Sequence, residues 1–222
     1  MAGLDRHLRL VRRLASARQR EKLGLFVCEG EDLVGAARDQ GIEPVELLVA
    51  GENVAPEALA EVSALAHPPR VIGIYRRADL ARDDVPSIGL ALWRVGDPGN
   101  VGALIRTADA LGPAFVALSD GCADPTGPKA VRASMGSLFR VPLIAFDEAP
   151  RPWVALVARG GDDPALVSGA TFVLGSEREG LPADLLERCA ERATIALADG
   201  ADSLNVAAAG AIALYERARR SP

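Results

Sequence analysis

The sequence predicts an α/β protein in which a small α/β unit precedes a larger one with a mostly parallel sheet. Short apolar runs alternate with segments of helical periodicity along nearly the whole chain, as in sheets that helices cover on both faces. Charged, proline-containing sequence interrupts this pattern between Ala78 and Ser87, where we place the junction. We therefore expect units at residues 1–77 and 88–222, joined by a linker at 78–87.

The first unit is expected to begin with an amphipathic helix, because apolar residues recur there at helical spacing. These residues are Leu4, Leu8, Val11 and Leu14. Between Met1 and Lys22 the chain has seven basic residues, Arg20 among them, against two acidic ones. The basic side chains either contact phosphates or form an ordinary solvated face. The candidate RNA-binding residues are Arg9, Arg12 and Arg13.

Alternating strands and helices are predicted for the rest of both units. In the first unit, strands are expected at 25–30, 45–50 and 70–76, and helices at 30–41 and 56–66. In the second unit, strands are expected at 88–93, 114–118, 140–146, 153–158, 171–175 and 194–197. Helices are expected after Asn100, near 129–138, after Pro182, and from Leu204 to about Arg219.

Composition excludes several classes of protein. The chain of 222 residues is 49% apolar and 25% charged, as globular proteins are. Its longest uncharged stretches fall short of the roughly 20 residues that span a membrane, so we expect a cytoplasmic protein with no membrane association. Three scattered cysteines and two histidines support neither a disulfide framework nor a metal site. The net charge of -5 argues against binding nucleic acid by bulk electrostatics.

Common nucleotide-binding and hydrolytic motifs are missing from the sequence. No two glycines stand two residues apart, although a dinucleotide-binding turn requires G-x-G. The sequence also contains no GxxxxGK[ST], GxSxG or HExxH. An α/β protein without these motifs needs another explanation for its ligand site.

Three separated segments supply that explanation. They are DPGNVGALIRTADALG at Asp97–Gly112, FVLGSEREGLP at Phe172–Pro182 and SLNVAAAGAIALYE at Ser203–Glu216. In order and content they resemble the motifs of the SpoU (TrmH) RNA methyltransferases of the SPOUT superfamily. VRASMGSLFRVP at 131–142 is similar to that family's linking segment, and REKLGLFVCEGEDLV resembles the opening of its small RNA-binding domain.

The resemblance implies a methyltransferase domain with a trefoil knot and a homodimer. It also implies S-adenosylmethionine-dependent transfer of a methyl group to a ribose 2'-hydroxyl of rRNA or tRNA, with the amino-terminal unit selecting the RNA. Two alternatives are a non-catalytic RNA-binding protein that retains the fold and an unrelated α/β enzyme.

Individual site residues follow from the same resemblance. Backbone groups around Gly175, Ile195 and Leu204 would hold the cofactor, although core packing or a turn explains these residues too. Arg106 matches the family's essential arginine. Because arginine keeps its protons in proteins, we expect Arg106 to bind a phosphate and stabilise the developing alkoxide rather than act as the base.

The remaining candidate catalytic residues are polar. Asn100, Ser203 and Asn205 are expected to orient the ribose, although Asn100 and Ser203 could instead cap helices. Glu177 is the stronger functional candidate of the two glutamates in its loop. Two residues depart from the family pattern: Arg178 stands where glycine is usual and Ala196 where proline is usual.

Overall fold

The computed structural model describes residues 2–80 and 84–219, and side chains in the first helix from Arg6 onward. Arg82 and Asp83 of the expected linker and the side chain of Leu4 lie outside the described residues. Within these ranges, no helix is both long and apolar enough to cross a membrane.

The amino-terminal unit packs four helices around a three-stranded sheet. In chain order its elements are α1 (Ala2–Leu14), α2 (Ala17–Leu23), β1 (Leu25–Glu29), α3 (Glu31–Asp39), β2 (Glu46–Val49), α4 (Pro56–Val62) and β3 (Val71–Arg76). The strand order is β1-β3-β2, with both pairs antiparallel. Helix α1 buries Val11 and Leu14, as its periodicity predicts.

The larger unit contains a six-stranded sheet. Its elements are β4 (Gly89–Leu92), α5 (Pro98–Ala110), β5 (Phe115–Leu118), α6 (Pro128–Ser134), β6 (Leu143–Ala145), β7 (Trp153–Leu156), β8 (Thr171–Leu174), α7 (Ala183–Glu187), β9 (Glu191–Ala193) and α8 (Val206–Ala218). The strand order is β6-β5-β4-β8-β7-β9, and every pair is parallel. This arrangement confirms the predicted fold class.

Two predicted elements of this unit are wrong in their extent. The last strand is Glu191–Ala193 rather than 194–197, because the apolar side chains of Ile195 and Leu197 line a cavity instead of the sheet. The helix expected near 129–138 ends at Ser134, since Met135 and Gly136 take left-handed conformations with φ of 49° and 85°. A 3₁₀ turn follows at Ser137–Phe139.

The strand order creates a switch point between the neighbouring strands β4 and β8. The chain leaves β4 toward β5 and β6 on one side, whereas β7 and β9 lie beyond β8 on the other. In parallel α/β sheets, ligands bind outside the carboxyl ends of strands at such a point. The segments after β4 and β8 are two of the three that the sequence singles out.

One of the hydrophobic clusters contains residues of both sheets. Phe26 and Tyr75 of the first unit pack their rings 6.1 and 5.4 Å from the ring of Phe139 in the second. Arg20 is buried and forms an ion pair with Asp124 across the junction. Arg20 therefore follows neither of the two alternatives for the amino-terminal basic residues, phosphate contact or a solvated face, because its side chain is engaged within the protein. The trefoil knot stays a prediction.

Candidate active site

Asp97 begins helix α5 and connects it to α6. Its Oδ1 accepts a hydrogen bond from the backbone N–H of Asn100 at 3.0 Å, and its Oδ2 lies 2.7 Å from Lys129 Nζ. The hydrogen bond from Lys129 and the one from the Asn100 amide lower the pKa of Asp97. Asn100 does not cap a helix that begins at Val101, because α5 already begins at Pro98. Asn100 sits in the first turn, which leaves its side chain available.

Glu177 joins the loop after β8 to the loop after β4. Its carboxylate accepts hydrogen bonds from Asn100 Nδ2 at 2.9 Å and from the backbone N–H groups of Gly96 and Asp97 at 3.3 and 3.4 Å. Partial burial raises the pKa of Glu177, but these hydrogen bonds outweigh burial and hold the pKa below its usual range. Glu177 is therefore ionised at neutral pH and holds the two loops together.

Asn205 brings the third motif to the same place. Its Nδ2 donates to Asn100 Oδ1 at 3.0 Å, while its Oδ1 accepts from the backbone N–H groups of Ala207 and Ala208. Asn205 is thus the N-cap of α8 rather than a residue inside the helix, so the alternative role of Ser203 as the helix cap does not hold. Asparagine is favoured at this position, so one side chain both begins α8 and orients Asn100.

A polar cavity of about 830 Å³ opens beside this network. We call it the acceptor groove. Its walls include Arg94, Gly96, Asn100, Gly121, Glu177 and Asn205. Sequence reasoning missed Arg94, Asp97 and Lys129 here. An aspartate followed by proline is a typical helix start and could have revealed Asp97, whereas the other two reach the site only through tertiary packing.

A second cavity, of about 610 Å³, adjoins the groove along Ser176–Glu179 and Asn205. We call it the cofactor cavity. All three predicted cofactor residues, Gly175, Ile195 and Leu204, line it together with Ser203. Apolar side chains supply much of the wall, as in most small-molecule sites.

Backbone groups of this cavity are available to a ligand. Across the described ranges, the amide N–H groups of Ile195, Leu197 and Leu204 make no intramolecular hydrogen bond. Ile195 and Leu197 are half-buried and Leu204 is exposed, so these amides are accessible, and an adenine ring between apolar walls can supply acceptors for such donors. The cavity therefore fits the adenosine portion of S-adenosylmethionine. Ile195 and Leu204 would recognise it through the backbone, as the resemblance implies.

Gly175 is required by the shape of the cofactor loop. A Cβ at this position would lie 2.2 Å from the carbonyl carbon of Gly180, so Gly175→Ala has to displace the backbone of the opposite loop segment. Such overpacking costs about 1–3 kcal/mol, and we expect cofactor affinity to fall by about 10- to 100-fold. Isothermal titration calorimetry with S-adenosylmethionine measures the effect.

Gly35→Ala is the matched control for this substitution. Gly35 lies in α3 with no atom within 4 Å of its added Cβ, so this variant should bind the cofactor as the parent protein does. Equal affinities for the two variants would contradict the role of Gly175.

Arg106 is not brought to either cavity within one chain. Its side chain is exposed and, among the described residues, makes no hydrogen bond or ion pair. Six positions separate it from Asn100, which places it roughly 240° around the α5 axis and about 9 Å along it. The structure thus assembles Asn100, Glu177, Ser203 and Asn205 but leaves Arg106 on a different helix face.

The predicted RNA-binding arginines lie on the exposed side of α1, away from both cavities. Arg12 pairs with Glu61 at 3.0 Å and Arg13 donates to Gln19 at 3.0 Å. Arg9 is exposed as well. Their RNA-binding role stays a prediction. Within residues 2–80 and 84–219, no group of histidine, cysteine or acidic side chains could hold a metal ion.

A nucleotide-sized cavity with available backbone donors meets a polar groove at a switch point of a parallel sheet. This combination defines a class: an α/β transferase that holds a nucleoside cofactor against a polar acceptor. Residues 87–215 match the model of the SpoU rRNA Methylase family, and the chain belongs to that family. It is thus an S-adenosylmethionine-dependent RNA 2'-O-ribose methyltransferase.

Known proteins similar to this chain agree with the assignment. An uncharacterised tRNA/rRNA methyltransferase of Synechocystis is 33% identical over 75% of this chain and 66% of its own length. The 23S rRNA (guanosine(2553)-2'-O)-methyltransferase RlmP of Bacillus subtilis is 29% identical over 92% of both chains. The crystal structure of AviRb from Streptomyces viridochromogenes with AdoMet has a TM-score of 0.84 and 25% identity, over 96% of this chain and 97% of its own. Among these relatives, the non-catalytic alternative finds no support.

Proposed function

We propose that the protein methylates a ribose 2'-hydroxyl of ribosomal RNA, with 23S rRNA as the substrate. The observation that carries the proposal is the hydrogen-bonded chain Glu177–Asn100–Asn205, which lies where the acceptor groove meets the cofactor cavity. The similarity to RlmP, a 23S rRNA enzyme, over nearly its whole length supports this choice of RNA. We also propose that the protein acts in the cytoplasm.

Asn100 is held in one orientation by its two neighbours. It donates one Nδ2 hydrogen to Glu177 and accepts at Oδ1 from Asn205. One Nδ2 hydrogen and one Oδ1 lone pair remain for a ligand, and these match the donor and acceptor character of a ribose hydroxyl. In this proposal Asn100 and Asn205 orient the acceptor ribose, with Ser203 at the edge of the cofactor cavity.

S-adenosylmethionine supplies an electrophilic methyl group on a sulfonium centre. The protein's contribution is to hold the acceptor oxygen in line with that carbon, because positioning dominates reactions of this kind. Glu177 acts by fixing Asn100 rather than by taking the proton, since its lowered pKa makes it a weak base.

Arg106 fits the site through a homodimer. The exposed Arg106 lies on α5, which packs against α8, and α8 exposes the large apolar residues Ile212 and Tyr215. We propose that these helices meet a second copy of the chain, so that Arg106 contributes to the acceptor groove of that copy. Arg9, Arg12 and Arg13 on α1 would contact more distant parts of the RNA.

Methyl transfer can be tested with purified protein, methyl-labelled S-adenosylmethionine and separate samples of unmodified 23S rRNA, 16S rRNA and tRNA. The proposal expects label in 23S rRNA, recovered as a 2'-O-methylnucleoside after digestion. Label on a base, or in another RNA instead, would contradict it. Saturable cofactor binding without transfer to any RNA would revive the non-catalytic alternative.

A further inference from the structure

The ionic groups of the acceptor groove are not all engaged with each other. Asp97 pairs with Lys129, and Glu177 accepts from the backbone and from Asn100. By contrast, the guanidinium groups of Arg94 and Arg178 form no hydrogen bond or ion pair with any residue in the described ranges. Two cations therefore face the groove without a protein partner.

Both arginines come from the switch point. Arg94 follows β4, which ends at Leu92, and Arg178 follows β8, which ends at Leu174. Leu92 and Leu174 are paired in the parallel ladder, so the two loops emerge side by side. Glu177 ties these loops together through its hydrogen bonds to Gly96 and Asp97. The two arginines thus lie on neighbouring loops that are hydrogen-bonded to each other at one edge of the site.

Arg94 is held in an unusual backbone conformation. Its φ is 54°, a left-handed value that glycine adopts more readily than arginine. Its amide N–H donates to Ser119 Oγ at 2.9 Å. Its side chain lies next to Gly121, since a Cβ added to that glycine would be 3.4 Å from Cγ and Nε of Arg94. A non-glycine residue kept in a strained conformation at a ligand groove points to a function for its side chain.

We propose that Arg94 and Arg178 bind the phosphodiester groups next to the acceptor ribose. This inference rests on the proposed function, which places RNA in the groove. A guanidinium forms paired, charge-assisted hydrogen bonds to phosphate oxygens, and a phosphodiester is the anion that RNA brings on each side of a ribose. The two arginines position the strand, and Asn100 and Asn205 orient the hydroxyl.

The test compares Arg94→Gln, Arg178→Gln and the double variant with Arg192→Gln. Arg192 is an exposed arginine on β9 that lines neither cavity, so it matches the change in charge. For each arginine of the groove, KM for RNA should rise by about tenfold, more than kcat falls. The slope of RNA affinity against salt should flatten by about one per arginine. The dissociation constant of S-adenosylmethionine separates effects on RNA from effects on the cofactor cavity.

Two further variants at Arg94 distinguish RNA binding from a structural role. Arg94→Gly fits the observed φ, so its melting temperature should equal or exceed that of the parent protein while its RNA affinity falls. Arg94→Lys keeps the charge and should recover part of the salt dependence. If the parent protein methylates RNA but Arg94→Gln and Arg178→Gln have the same KM and salt slope as Arg192→Gln, the inference is overturned. Absence of methylation by the parent protein would instead overturn the proposed function.

Discussion

Replacing Arg106 with alanine is expected to lower kcat by about 10²- to 10³-fold, the usual loss when one donor to a developing oxyanion is removed. Cofactor affinity should stay unchanged, because Arg106 lies outside the cofactor cavity. Single-turnover transfer of labelled methyl groups to 23S rRNA measures the first effect, and calorimetry measures the second. Near-normal turnover in Arg106→Ala would refute the role that the resemblance implies.

Mixed dimers can show which subunit Arg106 serves. One protomer carries Arg106→Ala and the other carries Asn100→Ala, with different tags so that only the mixed dimer is purified. If Arg106 reaches the other copy's groove, the Arg106→Ala protomer keeps a complete site and the mixed dimer is active. If Arg106 acts within its own chain, both sites are defective and the mixed dimer is inactive. An exclusively monomeric protein in solution would contradict the dimer itself.

Replacing Arg20 with methionine is expected to reduce the free energy of unfolding by about 3–5 kcal/mol, as when one partner of a buried ion pair is removed. The Arg20 guanidinium contacts Asp124 Oδ2 at 2.8 Å and donates to the carbonyl oxygens of Leu14 and Ala15 at 2.9 Å. Its loss leaves a largely buried carboxylate whose remaining cationic partner, among the residues that the structure describes, is the more distant Arg77 at 3.6 Å. Urea denaturation at neutral pH measures the change.

Arg12→Met is the matched control for Arg20→Met, because Arg12 also forms an arginine–carboxylate pair, but an exposed one. Surface pairs contribute about 0–1 kcal/mol, so the control should unfold nearly as the parent protein does. Adding Asp124→Asn to Arg20→Met should recover part of the loss, since the uncompensated charge is then removed. Equal costs for Arg20→Met and Arg12→Met would show that the junction does not depend on this pair.

The order and type of the main elements could be predicted from sequence, because apolar periodicity follows directly from which face each element buries. Which segments lie beside a ligand site could not be predicted. The run containing Ile195 and Leu197 has the apolar character of a strand, yet it lines a cavity, and the amides of these two residues find no hydrogen-bond partner in the described part of the chain. Local pattern does not distinguish burial against a sheet from burial against a ligand.

Site residues that belong to a motif could be predicted from the sequence, whereas those brought to the site only by tertiary packing could not. Asn100, Glu177 and Asn205 lie in three separated motifs, and the structure places them in one network. Arg94 and Lys129 belong to no motif that we recognised. The parallel ladder brings Arg94 to the groove, and the α5–α6 packing brings Lys129 to Asp97. The Arg20–Asp124 pair joins residues 104 positions apart, a distance at which local sequence carries no signal.

Glu177 has a consequence for how the two ligands affect each other. Its loop forms part of the wall of both cavities, and its carboxylate also binds the backbone at the start of α5. Any adjustment of this loop around one ligand therefore alters the surface offered to the other. By thermodynamic reciprocity, if bound S-adenosylmethionine changes the affinity for RNA by some factor, bound RNA changes the affinity for S-adenosylmethionine by the same factor. Through this one carboxylate, the affinity of each site for its ligand depends on whether the other site is occupied.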